Sequence, residues 1–283
     1  MHPYARPRLS KWAFTRVARA VVPTLALVAA AQWLGACTPT TTETHGALTY
    51  SDDAKKAYDK AMEAFDAKEW EEAKTLFKEV KKKYSYSRYA RLAELRIADA
   101  DYGSEKLAEA IQGYRSFVHD HRTDPEVAYA RYRISKGLFD EVSEGGFLLP
   151  PLEERDQATT LEAFKELTTF VKDFPSGQYA AEGQYMLKIV TARLVRHELY
   201  VARYYLRNDQ FDASIGRIQY ALNSYNGSGL EPELLVLLGE TYLKMHQAEK
   251  ARNTFSLVLT QFPSSPFSNA AKNFLLEMGP ESK

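Results

Sequence analysis

The chain has 283 residues, with 37 Lys and Arg, 37 Asp and Glu and one cysteine, Cys37. Five of the basic residues and none of the acidic ones lie in residues 1–36, so residues 37–283 are acidic by five charges. An acidic chain argues against nucleic-acid binding, which depends on positive charge, and one cysteine excludes a disulfide within the chain.

Residues 1–36 differ in composition from the rest of the chain. A basic segment is followed by the apolar run AVVPTLALVAAAQWLGA, which ends just before Cys37. This order predicts an export signal peptide. A membrane-spanning anchor is the alternative, but Gln32 interrupts the run and leaves it short of the roughly 20 apolar residues that a span needs.

The tetrapeptide Leu34-Gly35-Ala36-Cys37 resembles the lipobox of bacterial lipoproteins. That resemblance implies cleavage before Cys37 and acylation of the cysteine, so the lipid bilayer becomes a partner; two or more acyl chains anchor a protein stably. Thr38 rather than Asp follows the cysteine, which in such families favours the outer membrane, facing the periplasm. Residues 38–47 have no apolar periodicity, and residues 37–51 are predicted to form a lipidated flexible tether.

From about Asp52 onward the apolar pattern is helical, and no stretch sustains the alternation of a strand. The segment LLVLLGETYLKMHQAEKARNTFSLVLTQFP (234–263) matches the 34-residue tetratricopeptide signature. Gly239 and Ala251 occupy the positions where two helices cross closely, because only small side chains allow that approach. Pro263 ends the second helix.

The second-helix half of this signature occurs five times. Its small residue is found at Ala73, Ala110, Ala163, Ala213 and Ala251. The spacings exceed 34 residues, mainly because of an insertion at 142–157 and a long helical stretch at 180–207. The sequence therefore predicts an all-α tetratricopeptide-repeat solenoid of about five helix pairs plus a closing helix at 268–278. Residues 52–157 are expected to form the N-terminal repeats, about the first to the third. Residues 158–283 are expected to form the C-terminal repeats, about the third to the fifth, and the closing helix.

One phrase recurs at the predicted ends of helix pairs, as YSYSRYA (84–90), FPSGQYA (174–180) and FPSSPFS (262–268). Proline stops a helix and serine caps one, so Ser176 is predicted to cap the helix that follows. The phrase is interpreted as a joint between repeats rather than as a binding site used three times.

No pattern typical of an enzyme is present. The chain has no Gly-rich phosphate loop, no HExxH and no GxSxG. His119 and His121 would point to different faces of a helix, and the acidic residues of 153–156 lack a paired base. We therefore expect no catalysis, no metal site and no cofactor.

A basic run closes the first repeat, at Lys78, Lys81, Lys82, Lys83, Arg88 and Arg91. It is either a solvated face near a helix C-terminus or a rim that attracts an acidic partner. The chain also has 18 tyrosines, each of which is either a core residue or an anchor for a peptide in the groove of the solenoid.

The stretch RLVRHELYVARYY (193–205) resembles the signature helix of the BamD family, a tetratricopeptide lipoprotein of the outer-membrane β-barrel assembly machinery. The lipobox, the phrase FPSGQYA and the Gly-Phe loop with Arg155-Asp156 are similar too. The resemblance implies a non-enzymatic scaffold. Its C-terminal repeats would bind the periplasmic domain of the central β-barrel subunit, its N-terminal repeats would receive unfolded outer-membrane proteins, and accessory lipoproteins would be further partners.

The resemblance assigns residues to both roles. Those expected to bind the central subunit are Arg193, Arg196, Glu198 and Tyr200, and those expected at the substrate groove are Tyr86, Tyr89 and Phe147. The chain departs from the family at Ser85, where a proline is common, and at Asn226–Gly229, which replaces a proline-bearing turn.

Two other functions remain open at this stage. The first is another tetratricopeptide lipoprotein adaptor of the cell envelope, such as a pilus-secretin pilot or a division or peptidoglycan-linked factor, although these normally lack the HELYVARYY stretch. The second is the helical arm of a peptidoglycan-cleaving enzyme, which would need a catalytic domain with an essential Glu beyond the repeats.

Overall fold

The computed structural model describes residues 42–143 and 151–279. Within these ranges the chain forms eleven α-helices, one 3-10 turn and no strand. The helices are α1 Thr42–Asp66, α2 Trp70–Lys83, α3 Arg88–Gly103, α4 Leu107–Asp120, α5 Val127–Ser143, α6 Ala158–Asp173, α7 Ala180–Arg207, α8 Phe211–Ser224, α9 Glu231–Lys244, α10 Ala248–Gln261 and α11 Pro266–Glu277, and the 3-10 turn is Leu152–Glu154. None of the described helices combines the length and apolar character needed to span a bilayer.

The helices pack as five successive pairs, α1/α2 to α9/α10, followed by the single helix α11. The odd-numbered helices also touch one another, α5 with α7, α7 with α9 and α9 with α11, whereas the described even-numbered helices make no contact of similar extent. The odd-numbered helices therefore line the inner side of the stack. The predicted all-α tetratricopeptide solenoid of five pairs and a closing helix is confirmed.

Close crossing of the two helices of a pair depends on the predicted small residues. Ala73, Ala110, Ala163 and Ala251 are completely buried. A Cβ added to Gly239 would lie 2.4 Å from Phe255 Cε1, so the phenyl ring of α10 occupies the space that a side chain of α9 would need.

The fourth repeat differs from the prediction by one residue. Ala213 is exposed, and the buried position is taken by Ser214, followed one turn later by Ile218 and then by Ala221. Serine is small enough to sit at the crossing, and the prediction was wrong because it searched for alanine. Tyr220 is 47% exposed in consequence of this register.

Four of the five pairs share one turn between their helices. Its central residue has a left-handed backbone, with φ of 62° at Lys68, 62° at Glu105, 56° at Asp209 and 59° at His246. At Lys68 the amide donates to Phe65 O and the next amide donates to Ala64 O, and the other three turns repeat these two bonds. This is the helix-ending motif in which glycine is the usual central residue.

Serine caps the following helix at two of the joints between pairs but not at the joint that contains Ser176. Ser87 Oγ accepts from the amide of Ala90 at 3.1 Å and caps α3, and Ser265 Oγ accepts from Phe267 at 3.2 Å and caps α11. The prediction that Ser176 caps the next helix is wrong, since α7 begins only at Ala180, after Tyr179, and has no side-chain cap.

The first helix begins earlier than the sequence indicated. α1 starts at Thr42, ten residues before Asp52, so the described part of the predicted tether is helical. The error follows from reading helices by apolar periodicity, because residues 42–51 are mostly polar and the exposed Leu48 and Tyr50 give no apolar face.

Candidate partner-binding surfaces

Helix α7 is the longest helix described, with 28 residues. One face carries apolar side chains that pack into the cores on both sides of it, among them Met186, Leu194 and Leu199. Another face leaves Arg196 exposed, Tyr200 36% exposed and Tyr204 52% exposed. Because these three residues are spaced by four, they form one stripe on the helix surface.

Arg193 precedes this stripe but is partly used within the protein. Its side chain is half-buried, and Nη1 donates to the carbonyl oxygen of Val142 at the end of α5, at 2.5 Å. Burial, followed by the nearby charges of Arg155 and Arg196, lowers the pKa of the Arg193 guanidinium. Arg193 and Arg196 lie one helical turn apart and place two positive charges on this part of α7.

Glu198 faces the other way. It is buried, with 5% of its surface exposed, and it receives a long contact of 3.4 Å from Arg217 Nη1 of α8. It lines a cavity of about 290 Å³ with Leu161, Leu194 and the Tyr220–Tyr225 hydroxyl pair. Of the residues expected to bind the central subunit, the structure thus groups Arg193, Arg196 and Tyr200 on one side and separates Glu198 from them.

The end of the insertion in the third pair is fastened to α7. His197 Nδ1 donates to Glu153 O at 2.7 Å. The buried Gln157 donates from Nε2 to Leu152 O and Arg155 O, at 2.9 and 2.8 Å. Residues 151–157 consequently extend the surface around Arg193 instead of forming a free loop. The sequence analysis did not predict this contact, although His197 lies within the stretch 193–205.

The inner side of the second and third pairs contains a buried polar network around Asp99. The carboxylate is 5% exposed and is bound by Arg96. It also accepts hydrogen bonds from the hydroxyls of Tyr114 at 2.5 Å and Tyr129 at 2.6 Å. Arg133 Nε lies 3.6 Å from the same carboxylate. This network joins the helices α3, α4 and α5. It also includes α1, because Arg96 Nε donates to the Tyr58 hydroxyl at 3.2 Å.

The same network continues along the inner side. The Arg133 guanidinium lies 4.0 Å from the centre of the Tyr102 ring, and the Tyr102 hydroxyl donates to Asp140. Burial is the main cause that raises the pKa values of Tyr102, Tyr114 and Tyr129, with the carboxylates adding to it, so these hydroxyls remain protonated donors.

The residues expected at the substrate groove are dispersed. Tyr86 is 94% exposed, at the joint between α2 and α3. Tyr89 is half-buried in α3, with its ring 5.6 Å from that of Tyr58. Phe147 lies outside the described residues, as does the predicted lipidation site Cys37.

The two histidines at the C-terminal end of α4, His119 and the C-cap residue His121, have local partners. His119 Nδ1 lies 2.8 Å from Asp120, and His121 Nε2 lies 2.8 Å from Glu94. Across residues 42–143 and 151–279 no group of three or more His, Cys, Asp or Glu side chains is arranged to hold a metal ion.

Residues 50–257 match the YfiO family, described as outer membrane lipoprotein. The chain belongs to the YfiO family. The predicted resemblance is confirmed, since several curated relatives bear the name "Outer membrane protein assembly factor BamD". YfiO membership rests on about three quarters of the chain, which includes α7 and both surfaces described above.

The relatives are distant but extensive. A protein of Neisseria meningitidis serogroup A is 29% identical over 240 residues, which cover 83% of this chain and 89% of that protein. One of Caulobacter vibrioides is 28% identical over 206 residues, 73% of this chain, and the match spans 65% of that longer protein. Among solved structures, MamA 41-end from Desulfovibrio magneticus RS-1 has a TM-score of 0.37 at 15% identity, over 76% of this chain and 98% of that chain.

Proposed function

We propose that this YfiO-family protein is a non-enzymatic scaffold for outer-membrane protein assembly, which binds the central β-barrel subunit through the exposed face of α7. The observation that carries the proposal is the stripe Arg196–Tyr200–Tyr204. Arginine and tyrosine are the residues most enriched at the energetic centres of interfaces. On a helix that packs into the cores on both sides of it, an exposed row of them is a surface suited to a partner protein.

Charge indicates what the partner presents. Burial is the largest cause that lowers the pKa of the Arg193 guanidinium, and the nearby charges of Arg155 and Arg196 lower it further. A partner carboxylate placed beside Arg193 and Arg196 would reduce the repulsion between these two cations and form a paired hydrogen bond with a guanidinium. We therefore expect the periplasmic domain of the barrel subunit to contribute an acidic side chain here, flanked by apolar groups that cover Tyr200 and Tyr204.

Unfolded outer-membrane proteins would bind the inner side of the N-terminal repeats. There Tyr89 and Tyr58 border the network around Asp99, whose donors and acceptors are held in place by one another. Tyr86 is at the margin of this surface, and its role, like that of Phe147, stays a prediction. An extended peptide loses conformational freedom when it binds, so each contact with substrate would be weak and reversible.

Anchoring completes the proposed scaffold. Acylated Cys37 would hold the protein at the periplasmic face of the outer membrane, and accessory lipoproteins of the machinery would share the solenoid with the barrel subunit. The alternative functions in the cell envelope are a pilus-secretin pilot and a division or peptidoglycan-linked factor. Co-purification of a different set of proteins would indicate one of these instead.

The test is co-purification from detergent-solubilised outer membrane through a C-terminal tag. Arg196→Glu combined with Tyr200→Ala should reduce recovery of the barrel subunit at least about tenfold, because a charge reversal and the loss of an interface aromatic each cost of the order of 1–2 kcal/mol. Both side chains are exposed, so circular dichroism should show unchanged helicity. Arg193→Glu is a poorer choice, since it would also break the bond to Val142.

Tyr185→Ala is the matched control. Tyr185 lies on α7 and is 64% exposed, but it precedes Tyr200 by about four turns of helix. It should leave recovery unchanged. If no β-barrel subunit accompanies the unsubstituted protein, or if the control loses it as readily as the double variant, the proposed interface is wrong.

A further inference from the structure

The joint between α2 and α3 carries cations that the protein does not neutralise. Lys78, Lys82 and Arg88 are exposed and form no ion pair among the described residues, while Lys83 Nζ lies over the Tyr84 ring at 5.2 Å. The neighbouring Lys81 and Arg91 differ, since they pair with Glu94 at 3.0 Å and Asp124 at 2.9 Å. We call Lys78, Lys82, Lys83 and Arg88, with Tyr86 among them, the basic edge.

No other joint between pairs resembles it. The last turn of α2 carries Lys81, Lys82 and Lys83, whereas that of α4 carries only His119, that of α6 only Lys172, and those of α8 and α10 no basic residue. The excess of positive charge is therefore a property of the first pair, not of the repeat.

The opposite edge of the solenoid, where the two helices of a pair meet, has more acidic than basic residues in the first two pairs and the fourth. Its exposed carboxylates there are Glu69, Glu71, Glu72, Glu105, Glu109, Asp209 and Asp212. The exposed cations Lys68, Lys106 and Arg207 lie beside them, and Lys106 pairs with Glu71 at 2.7 Å. Acidic residues at the start and basic residues at the end of α2 both suit the helix dipole. The dipole does not explain why the last turn of α2 carries three lysines, whereas the last turns of α4, α6, α8 and α10 carry at most one basic residue each.

Tyr50, in the first half of α1, lies on the same side as the basic edge. The Tyr50 ring of α1 packs edge-on against the Tyr84 ring at the end of α2, with the centroids 5.4 Å apart. Tyr50 is thirteen positions after Cys37, and a chain segment of that length spans at most about 45 Å. An acyl group on Cys37 would therefore keep the bilayer within reach of the basic edge.

We propose that the basic edge binds the anionic headgroups of the phospholipids in the membrane that holds the acylated chain. This inference rests on the anchoring included in the proposed function. An anionic surface would attract the four cations and repel the acidic edge, and the exposed ring of Tyr86 would lie at the depth of the headgroups, where amphipathic aromatic side chains are favoured. The helices would then stand upright on the bilayer and the solenoid would run along it.

The strength of electrostatic attraction to an anionic membrane is sufficient for binding by four charges. Each lysine or arginine near an anionic surface strengthens its association about fivefold at moderate salt, and the effect fades beyond a Debye length of roughly 10 Å. Four cations added to an acyl anchor are sufficient to fix an orientation, although they would hold an unanchored protein only weakly.

The experiment measures energy transfer in vesicles that carry the mature acylated protein. One fluorophore is attached to Ser85→Cys at the basic edge, or to Ala67→Cys at the acidic edge of the same pair, about 20 Å away along α2. Both positions are exposed, and acylation leaves the introduced thiol as the site of labelling. The acceptor is a headgroup-labelled lipid, in phosphatidylcholine vesicles with or without about 30 mol% phosphatidylglycerol.

In vesicles with phosphatidylglycerol, transfer from position 85 should exceed transfer from position 67 about twofold, and the two should converge at about 0.5 M salt or in phosphatidylcholine alone. The triple variant Lys78→Gln, Lys82→Gln, Arg88→Gln should abolish the difference. The control Lys165→Gln, Lys172→Gln, Lys188→Gln removes the same charge from exposed, unpaired lysines of α6 and α7 and should retain it.

Equal transfer from the two positions would overturn the proposal, as would a difference that persists without phosphatidylglycerol or in the triple variant. Loss of a co-purifying protein from the triple variant, with orientation unchanged, would instead assign the edge to an acidic protein partner. Failure of anchoring is recognised separately, because the unsubstituted protein would not float with vesicles of either composition, which contradicts both proposals. Loss of the barrel subunit alone contradicts only the assembly role.

Discussion

The second and third helix pairs and the fifth pair have the same architecture but different interiors. Between α3, α4 and α5 the buried Asp99 binds Arg96, Tyr114 and Tyr129. Between α9 and α10 the contact is apolar, with Phe255 pressed against Gly239 and stacked on Phe274 of α11 at 4.8 Å. One region is held together by directional polar bonds and the other by the fit of volumes.

The comparison shows that the repeat constrains side-chain size at the crossing but not the chemistry around it. A polar interior fails when one partner is removed, because the remaining charged and hydroxyl groups are left buried without bonds. An apolar interior fails when volume is added or removed. Three measurements test whether the two regions differ in this way.

The largest effect is expected at Asp99. Asp99→Ala leaves two arginines and two tyrosine hydroxyls without their shared acceptor, and it should lower the free energy of unfolding by about 3–5 kcal/mol. Urea denaturation followed by circular dichroism measures the loss. Asp173→Ala is the control, since Asp173 pairs with Arg131 at the surface and should cost less than about 1 kcal/mol. Equal losses would show that the network contributes nothing beyond a surface pair.

The next effect is expected in the fifth pair. Gly239→Ala places a Cβ 2.4 Å from Phe255, and displacement of the ring should cost about 1–3 kcal/mol in the same assay. Gly216→Ala is matched to it, because Gly216 is also within a helix but has no atom within 4 Å of an added Cβ. That variant should gain about 0.5–1 kcal/mol from the lower entropy of its unfolded chain. A neutral Gly239→Ala would contradict the close fit.

The smallest effect is a difference in pH dependence. Burial, then the charge of Asp99, raises the pKa values of Tyr114 and Tyr129 in the folded protein. These groups therefore stabilise the fold fully below the pKa of an unfolded tyrosine, near 10, and the contribution is lost as pH rises above it, by at most about 1.4 kcal/mol per pH unit for each group. Tyr129→Phe should make unfolding less sensitive to alkali.

Gly239→Ala serves as the reference for this measurement, because no titrating group takes part in the contact with Phe255. Its loss of stability should be the same at neutral pH as at about pH 10.5. An alkaline dependence of stability as steep in Tyr129→Phe as in Gly239→Ala would contradict this prediction.

Much of the fold could be predicted because the repeat signature is local. Gly239, Ala251 and Phe255 occupy signature positions of the tetratricopeptide repeat. Their residue types and spacing indicate two helices in contact. The predictions that were wrong concern residues whose packing differs from what the local sequence pattern indicates. Ser214 fills a site where alanine was expected, Ser176 lies too far before α7 to cap it, and α1 begins at Thr42 without an apolar face.

The candidate site was predictable only as a stretch of sequence. The resemblance placed Arg193, Arg196, Glu198 and Tyr200 together because they are neighbours in the chain. In the structure Glu198 packs toward α8, whereas Arg196 and Tyr200 remain exposed. No pattern indicated the network of Asp99 either, since Tyr114 and Tyr129 are 15 and 30 residues away from it.

The sequence by itself determined the helical class, the number of pairs, the joints and the family, because these depend on side-chain size and spacing within one or two helices. Only the tertiary structure decided which face of α7 is covered, which arginine is held by Val142 and which lysines of the first joint stay unpaired. The physical reason is that periodicity tells which residues share a face, whereas burial and charge pairing depend on the neighbour that packs against that face.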